Sequence, residues 1–185
     1  LAPLGRGGWM VKPDQGGSSV GAARVEPLGD LERALDGAFE HAVAVRIEAV
    51  VDGVELTCAV LGEGGAARAL MPVEIVPDDG RFFDFEQKYA SDGATERCPP
   101  RLVSADVIER IQADSLRVHR GFGCRGLTRS DFIVRPDQTP VFLELNTLPG
   151  MTPRSLAPQA AGFHGSSHRD LCLLLLDAAL APDGG

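Results

Sequence analysis

The segment from Arg129 to Gly150 constrains the fold more than any other part of the chain. Two runs of β-branched and aromatic residues, 132–134 and 141–143, flank the turn-forming sequence Arg-Pro-Asp-Gln-Thr at 135–139. Apolar runs on either side of such a cluster are typical of a β-hairpin. The segment therefore predicts two antiparallel strands joined by a turn centred just after Asp137.

The predicted hairpin brings four polar side chains together. Counting outwards from the turn places Asp131 opposite Glu144 and Arg129 opposite Asn146. Residues two apart on a strand share a face, so all four side chains project to the same side. Carboxylate and amide oxygens suit Mg²⁺, which binds through one or two carboxylates together with substrate phosphates. A solvated hairpin face with surface ion pairs is the alternative that these residues alone leave open.

The overall composition argues against several classes of protein. A length of 185 residues suffices for one sizeable core, or for one domain and part of another. The formal net charge of −8 argues against a nucleic-acid-binding protein, which normally carries a basic face. No apolar run approaches the ~20 residues of a transmembrane helix, and no signal peptide is recognisable. The four scattered cysteines lack metal-ligand spacing, which favours reduced thiols in a cytoplasmic protein.

Strand and helix patterns alternate along the chain, which predicts an α+β fold with antiparallel sheets and flanking helices. The predicted strands outside the hairpin are 9–12, 22–25, 43–48, 54–61 and 71–75. Helices are predicted at 31–42, from a cap at Ser104 to Arg120, and after a cap at Ser166 or Ser167. Residues 79–100 have little periodicity and many turn formers, which predicts a long loop of the kind that is often functional.

The loop Gly16-Gly-Ser-Ser-Val-Gly21 has features of a phosphate-binding flap. It lies between two predicted strands, which distinguishes it from a Walker loop or a dinucleotide fingerprint. Its backbone N–H groups and the hydroxyls of Ser18 and Ser19 can close over phosphate oxygens, and Lys12 can place an ammonium on them. A glycine- and serine-rich hairpin turn without a ligand is the open alternative.

Polar residues in two other loops are further candidates. Glu48 and Glu55 flank a turn at 52–53, where a glutamate can accept hydrogen bonds from a ribose or an adenine amino group. Lys88 and Tyr89, the only tyrosine, lie in the predicted loop at 79–100, which can act as a lid. Solvated glutamates and an ordinary polar loop are the alternatives that these residues leave open.

The order of the motifs is more specific than any one of them. They run from Lys12-Pro and the Gly-Ser-Ser-Val-Gly flap, through Lys88-Tyr89 and Gly123-Cys-Arg-Gly126, to Glu144-Leu-Asn-Thr-Leu-Pro-Gly-Met-Thr152. In this order, over essentially the whole chain, the sequence resembles a D-alanine–D-alanine ligase of the ATP-grasp superfamily. The resemblance implies a partial ATP-grasp fold.

The resemblance also implies ligands and residue roles. The cofactors would be ATP and two Mg²⁺ ions, or Mn²⁺ in their place, with D-alanine as substrate. Contacts to ATP would come from Lys12, Ser18, Ser19, Glu48, Glu55 and Lys88. The metal ligands would be Asp131, Glu144 and Asn146. The catalytic residues would be Ser18, Tyr89, Arg129 and Gly150, and the carboxylate of the second D-alanine would be held by Ser155 and Leu156.

The implied reaction has two steps and belongs to peptidoglycan synthesis. ATP phosphorylates the carboxylate of one D-alanine, and the amine of a second attacks the acyl phosphate. Relatives that make D-alanyl-D-lactate usually lack the Lys-Tyr pair, so Lys88 and Tyr89 favour the dipeptide product. Ligation of other amino acids and an inactive nucleotide-binding module stay open. The implied partners are small molecules rather than nucleic acid or membrane, and a homodimer is one assembly open to the intact protein.

The resemblance further suggests how the chain is organised. We expect residues 1–47 to be part of the ATP-grasp lid subdomain and residues 48–185 to be the C-terminal subdomain, with the lid loop at about 79–100. Because the chain does not begin with Met and enters a strand almost at once, we expect it to belong to a longer protein with an N-terminal domain. Two positions depart from the family pattern: Gly16, usually acidic, and Ala49, commonly Lys.

Overall fold

The computed structural model describes residues 8–16, 20–26, 31–77 and 94–180. The described residues form two compact units, one built around residues 8–52 and the other around residues 53–76 and 96–180. None of the described helices is long and apolar enough to cross a membrane. All four cysteines fall within the described ranges and are free thiols.

In the first unit, strands β1 (Trp9–Pro13), β2 (Ala23–Val25) and β3 (Val45–Ala49) form an antiparallel sheet in the order β2-β1-β3. Helix α1 (Leu31–Phe39) packs onto this sheet through Leu31, Ala34, Leu35 and Ala38, and the buried residues of the cluster are Val11, Val25 and Ala38. The helix ends before the predicted residue 42 because the chain turns at 40–41, where the N–H of His41 donates to the carbonyl of Ala38.

The second unit is built on a larger sheet. Its strands lie in the order β7-β6-β4-β8-β9, with β5 beside β4. The bounds are β4 (Val54–Leu61), β5 (Arg68–Ala69), β6 (Val73–Pro77), β7 (Ala94–Arg97), β8 (Leu127–Val134) and β9 (Pro140–Asn146). The remaining described helices are α2 (Ala105–Gly121), α3 (Leu156–Phe163) and α4 (His168–Leu180). Antiparallel sheets with flanking helices confirm the predicted α+β class.

The two faces of the larger sheet bury different clusters. Phe132 and Leu56 pack against Val107 and Ile111 of α2 on one face. The opposite face packs against α3 and α4 through a cluster that includes Ala59, Leu61, Leu127, Ala157, Ala160, Ala161 and Leu171. Because side chains alternate along a strand, Arg129 and Asp131 of β8 share this second face with Leu127. The sheet thus separates the polar residues of the hairpin from the core under α2.

Two predictions for the second unit were wrong or incomplete. Within the predicted loop 79–100, residues 94–97 form strand β7, and residues 78–93 lie outside the described part. Helix α3 was not predicted, because its sequence Leu-Ala-Pro-Gln-Ala-Ala-Gly-Phe contains a proline and a glycine and has only a weak amphipathic pattern. Its proline lies in the first turn, where the missing N–H has no intrahelical partner to lose.

Candidate active site

The hairpin of β8 and β9 has the predicted register at its open end. Arg129 lies opposite Asn146, and Asp131 lies opposite Glu144. Arg129 and Asp131 are two residues apart on one strand, as are Glu144 and Asn146 on the other, so the four side chains share a face. The hydrogen bonds between them, given below, confirm that the predicted hairpin brings these four residues together.

The register changes by one residue nearer the turn. Phe132 pairs with Phe142, although Asp131 pairs with the residue two positions further along β9. Leu143 is therefore an extra residue of the kind found in a β-bulge, a feature that often lies next to functional sites. The turn itself is centred on Asp137, half a residue from the predicted centre, and the bulge offsets that difference before the strands reach the polar residues.

Asp131 is the most densely hydrogen-bonded side chain of the site. Its Oδ1 accepts from Oγ1 of Thr57 at 2.7 Å and from Nε of Arg129 at 2.8 Å. Its Oδ2 accepts from Nη2 of Arg129 at 2.8 Å and from Nδ2 of Asn146 at 3.0 Å. A carboxylate offers about four lone-pair positions, so all of them are taken. The Asp131 side chain is only 13% exposed, which strengthens each of these contacts.

Arg129 lies among several carboxylates. Its burial disfavours the charged form, but hydrogen bonds to Asp131 and the charges of Asp131, Glu144 and Glu55 outweigh that effect and raise the pKa of Arg129 above its usual value. Glu55 lies on β4 two residues before Thr57 and therefore on the same face of the sheet. Among the described residues, the site therefore has three carboxylates around one guanidinium.

The donor set fits a divalent cation that also binds phosphate. Nδ2 of Asn146 lies 3.0 Å from Oδ2 of Asp131 and 3.3 Å from Oε1 of Glu144, so a positively polarised group already bridges the two carboxylates. The described residues contain no group of three or more His, Cys, Asp or Glu side chains placed to hold a metal alone. Two carboxylates and one amide match the mode in which Mg²⁺ takes its other ligands from phosphates and water.

The candidate nucleotide residues of the first unit also meet. Lys12 on β1 and Glu48 on β3 share a face, and Nζ of Lys12 contacts Oε2 of Glu48 at 2.7 Å. Arg46 contacts the other carboxylate oxygen of Glu48 at 3.3 Å. The side chains of Lys12 and Glu48 are 30% and 35% exposed, so a ligand can reach both of them.

The candidate substrate residues follow β9. Oγ of Ser155 accepts a hydrogen bond from the N–H of Thr152 at 3.1 Å and lies 2.9 Å from its hydroxyl oxygen. Gly150 approaches the same group so closely that a Cβ on it would lie 2.9 Å from Oγ of Ser155. Leu156 is the first residue of helix α3. A tight turn therefore brings Gly150 and Ser155 together just before a helix N-terminus.

Four predicted site residues, Ser18, Ser19, Lys88 and Tyr89, lie outside the described residues. Conversely, Thr57 contacts Asp131 directly and was not a candidate from the sequence. Its sequence signal was absent because Thr57 and Asp131 meet only through the pairing of β4 with β8, and their separation along the chain is 74 residues.

Residues 8–177 match the protein-family model described as "D-ala D-ala ligase C-terminus". The chain belongs to this family. A D-alanine–D-alanine ligase of Nitratidesulfovibrio vulgaris (strain DP4) is 43% identical to it over 175 residues, which cover 95% of this chain and 56% of that protein. The chain thus spans about half the length of the curated relatives it matches.

Solved structures show that this member of the ligase C-terminal family is also similar to ligases in its fold. The VanG D-Ala:D-Ser ligase from Enterococcus faecalis superposes with a TM-score of 0.81 and 32% identity, covering 94% of this chain and 50% of that one. The D-alanine–D-alanine ligase from Bacillus anthracis complexed with ATP gives a TM-score of 0.75 and 28% identity, covering 93% and 52% respectively. These structures confirm the predicted ATP-grasp fold.

Proposed function

We propose that this chain supplies the metal- and phosphate-binding part of an enzyme that joins two D-alanines to D-alanyl-D-alanine, with ATP and Mg²⁺, for peptidoglycan synthesis. The observation that carries the proposal is the convergence of Arg129, Asp131, Glu144 and Asn146 on one face of the hairpin. Membership of the D-ala D-ala ligase C-terminus family supports the reaction class.

The charge of the site supports the requirement for metal. In the described part of the site, Asp131, Glu144 and Glu55 surround the guanidinium of Arg129, so carboxylates outnumber positive charges there. Such a site repels the phosphates of ATP unless cations intervene. Asp131, Glu144 and Asn146 would hold two Mg²⁺ ions, with Asn146 turning its carbonyl oxygen to the metal. The ions would neutralise phosphate charge and orient the transferred phosphoryl group.

Positioning and charge neutralisation, rather than a protein nucleophile, drive the proposed reaction. A carboxylate oxygen of the first D-alanine takes the γ-phosphoryl group from ATP, and the amine of the second displaces phosphate from the acyl phosphate. Arg129 uses Nε and Nη2 on Asp131, which leaves the N–H groups of Nη1 for the transferring phosphoryl group. Gly150 would donate its N–H to the oxyanion of the second step.

Further roles belong to the same proposal. Lys12 would contact phosphate, Glu48 the adenine and Glu55 the ribose, while Ser155 and Leu156 would hold the carboxylate of the second D-alanine. Ser18, Ser19, Lys88 and Tyr89 would complete the contacts to ATP and the acyl phosphate. We place the reaction in the cytoplasm, which the four free thiols support. A homodimer and a subdomain boundary between residues 47 and 48 complete the proposal.

Release of ADP that depends on D-alanine, at saturating Mg-ATP, tests this function. It is measured for the chain itself and for a version extended upstream in its own gene, with D-serine and D-lactate as competing second substrates. We expect D-alanine-dependent ADP release and a D-alanyl-D-alanine product in the extended version. Release with another second substrate only would reassign the product, and release with none in either version would favour a nucleotide-binding module.

Two variants test the metal assignment. Asp131→Asn and Glu144→Gln each remove one carboxylate from the hairpin face and are expected to abolish Mg²⁺-dependent nucleotide binding. Glu109→Gln, at an exposed position of α2, is the matched control and is expected to bind as the unmodified chain does. Unchanged binding in the two hairpin variants would contradict the metal assignment even if the ligase assignment stands.

A further inference from the structure

A row of three side chains crosses the larger sheet at the candidate metal site. Thr57 on β4 lies opposite Asp131 on β8, which lies opposite Glu144 on β9. Thr57 is 2% exposed, whereas Glu144 is exposed at the end of the row. The row therefore begins in the protein interior and ends at the surface where a cation and its phosphates arrive.

The Thr57 hydroxyl is committed to Asp131. It has one proton to donate, and its distances are 2.7 Å to Oδ1 of Asp131 and 3.4 Å to the carbonyl oxygen of Ser130. The shorter contact is to an ionised acceptor and is the stronger of the two. Because threonine is β-branched and this side chain is buried, its χ1 rotamer has little freedom to change.

The other donors to Asp131 can be replaced. Arg129 and Asn146 come from partly exposed positions and contact Oδ2 at 2.8 and 3.0 Å, and Nε of Arg129 also contacts Oδ1 at 2.8 Å. Thr57 is the one of these three donors that comes from the buried interior. A cation held by Asp131 and Glu144 would take the place of the Asn146 amide group at Oδ2. Thr57 keeps its hold on Oδ1 throughout.

We propose that Thr57 is a positioning residue, whose hydroxyl fixes the carboxylate plane of Asp131 by holding Oδ1 and thereby commits Oδ2 to the divalent cation. The inference rests on the proposed function, since it takes Asp131 as a metal ligand. The terminal torsion of an aspartate is broad. Without Thr57 the carboxylate of Asp131 is held only by the partly exposed Arg129 and Asn146, so it loses alignment when the cation binds. Residues that orient metal ligands in this way typically contribute about 10–100-fold to metal affinity.

Titration with Mn²⁺ in the presence of AMP-PNP tests the inference on the whole chain. The loss of the electron paramagnetic resonance signal of free Mn²⁺ reports binding without any turnover. The variants are Thr57→Val, which keeps the shape and removes the hydroxyl, Thr57→Ser, which restores it, and Thr57→Ala, which carries the comparison if the valine variant does not fold. Thr128→Val is the matched control. Thr128 is as buried as Thr57 and lies on the same sheet, but its hydroxyl is hydrogen-bonded to His119 of α2 instead of to a residue of the candidate metal site.

We expect Thr57→Val to weaken Mn²⁺ binding by about tenfold or more, and Thr57→Ser to bind within about threefold of the unmodified chain. Thr128→Val is expected to lower the melting temperature without changing the affinity for Mn²⁺. Equal Mn²⁺ affinity in the valine variant, or no recovery in the serine variant, would overturn the role of Thr57 and leave the proposed function intact. If the unmodified chain fails to bind Mn²⁺, both proposals fall. If Asp131→Asn loses Mn²⁺ binding but Thr57→Val does not, the metal assignment stands and the role of Thr57 falls.

Discussion

Replacing Arg129 by Leu removes the positive charge from the centre of the carboxylate cluster. The guanidinium contacts both oxygens of Asp131 at 2.8 Å, and the two side chains are 23% and 13% exposed. Removing one partner of a fully buried ion pair costs about 3–5 kcal/mol. Because both side chains retain contact with water, we expect a smaller loss in the free energy of unfolding, ~2–3 kcal/mol.

Urea unfolding of the unmodified chain and of Arg129→Leu measures this loss, and hydrogen exchange of the peptide 127–146 localises it to the hairpin. Arg117→Leu, which breaks the exposed Arg117–Asp114 pair, is the control and is expected to change stability by less than ~0.5 kcal/mol. The double variant Arg129→Leu/Asp131→Asn is expected to recover at least part of the loss, since the largely buried carboxylate of Asp131 is no longer left without its partner.

Mg²⁺ without nucleotide extends the same experiment. A cation can fill the place of the guanidinium between the carboxylates, so Mg²⁺ is expected to stabilise Arg129→Leu more than it stabilises the unmodified chain. A loss below ~0.5 kcal/mol in Arg129→Leu would refute the reasoning, because that value is typical of a solvated surface pair. A double variant no more stable than the single one would refute it as well.

Two further predictions concern buried polar groups of the second unit. Burial lowers the pKa of His119, whose Nε2 faces the carbonyl of Gly62. The unfolded chain therefore binds this proton more tightly than the folded chain does. The free energy of unfolding is unaffected by this group above pH ~6.5 and decreases as the pH falls below that value. Melting temperatures at pH 7.5 and 5.5 check this, and the decrease should shrink in His119→Gln. Glu74 is fully buried and accepts hydrogen bonds from Arg97 and from two backbone N–H groups. Urea unfolding is expected to show that Glu74→Ala lowers the free energy of unfolding by about 3 kcal/mol and that Glu74→Gln lowers it less. Equal losses in the two variants would contradict a role for the charge of Glu74.

The hairpin shows why part of the site is predictable from sequence. The register of a hairpin depends on its own turn and on the alternation of its own strands, which are both local features. The pairings of Arg129 with Asn146 and of Asp131 with Glu144 follow from that local information. The bulge at Leu143 does not, because nothing in its sequence distinguishes it from a regular strand residue.

Elements with mixed or weak patterns escaped prediction. Helix α3 has alanine, proline and glycine where a periodic stripe would be expected. Three of its buried residues, Ala157, Ala160 and Ala161, pack on a sheet face that the sequence does not identify. Strand β7 is only four residues long, within a segment rich in turn formers. Tertiary packing decides both elements, and propensity gives little guidance where an element depends on its neighbours.

Thr57 marks the limit of local reasoning at the site itself. Nothing in the run Val54–Leu61 separates this threonine from an ordinary buried strand residue, and the sequence predicted β4 with its observed bounds. Its contact with Asp131 depends on which two strands pair and in which register, and both are set by the packing of the whole sheet. The residues that bind a ligand directly can be found from their chemistry and local spacing, whereas a residue that orients them has ordinary chemistry and is found only when the sheet is assembled. A metal site predicted from sequence is therefore systematically missing its supporting contacts.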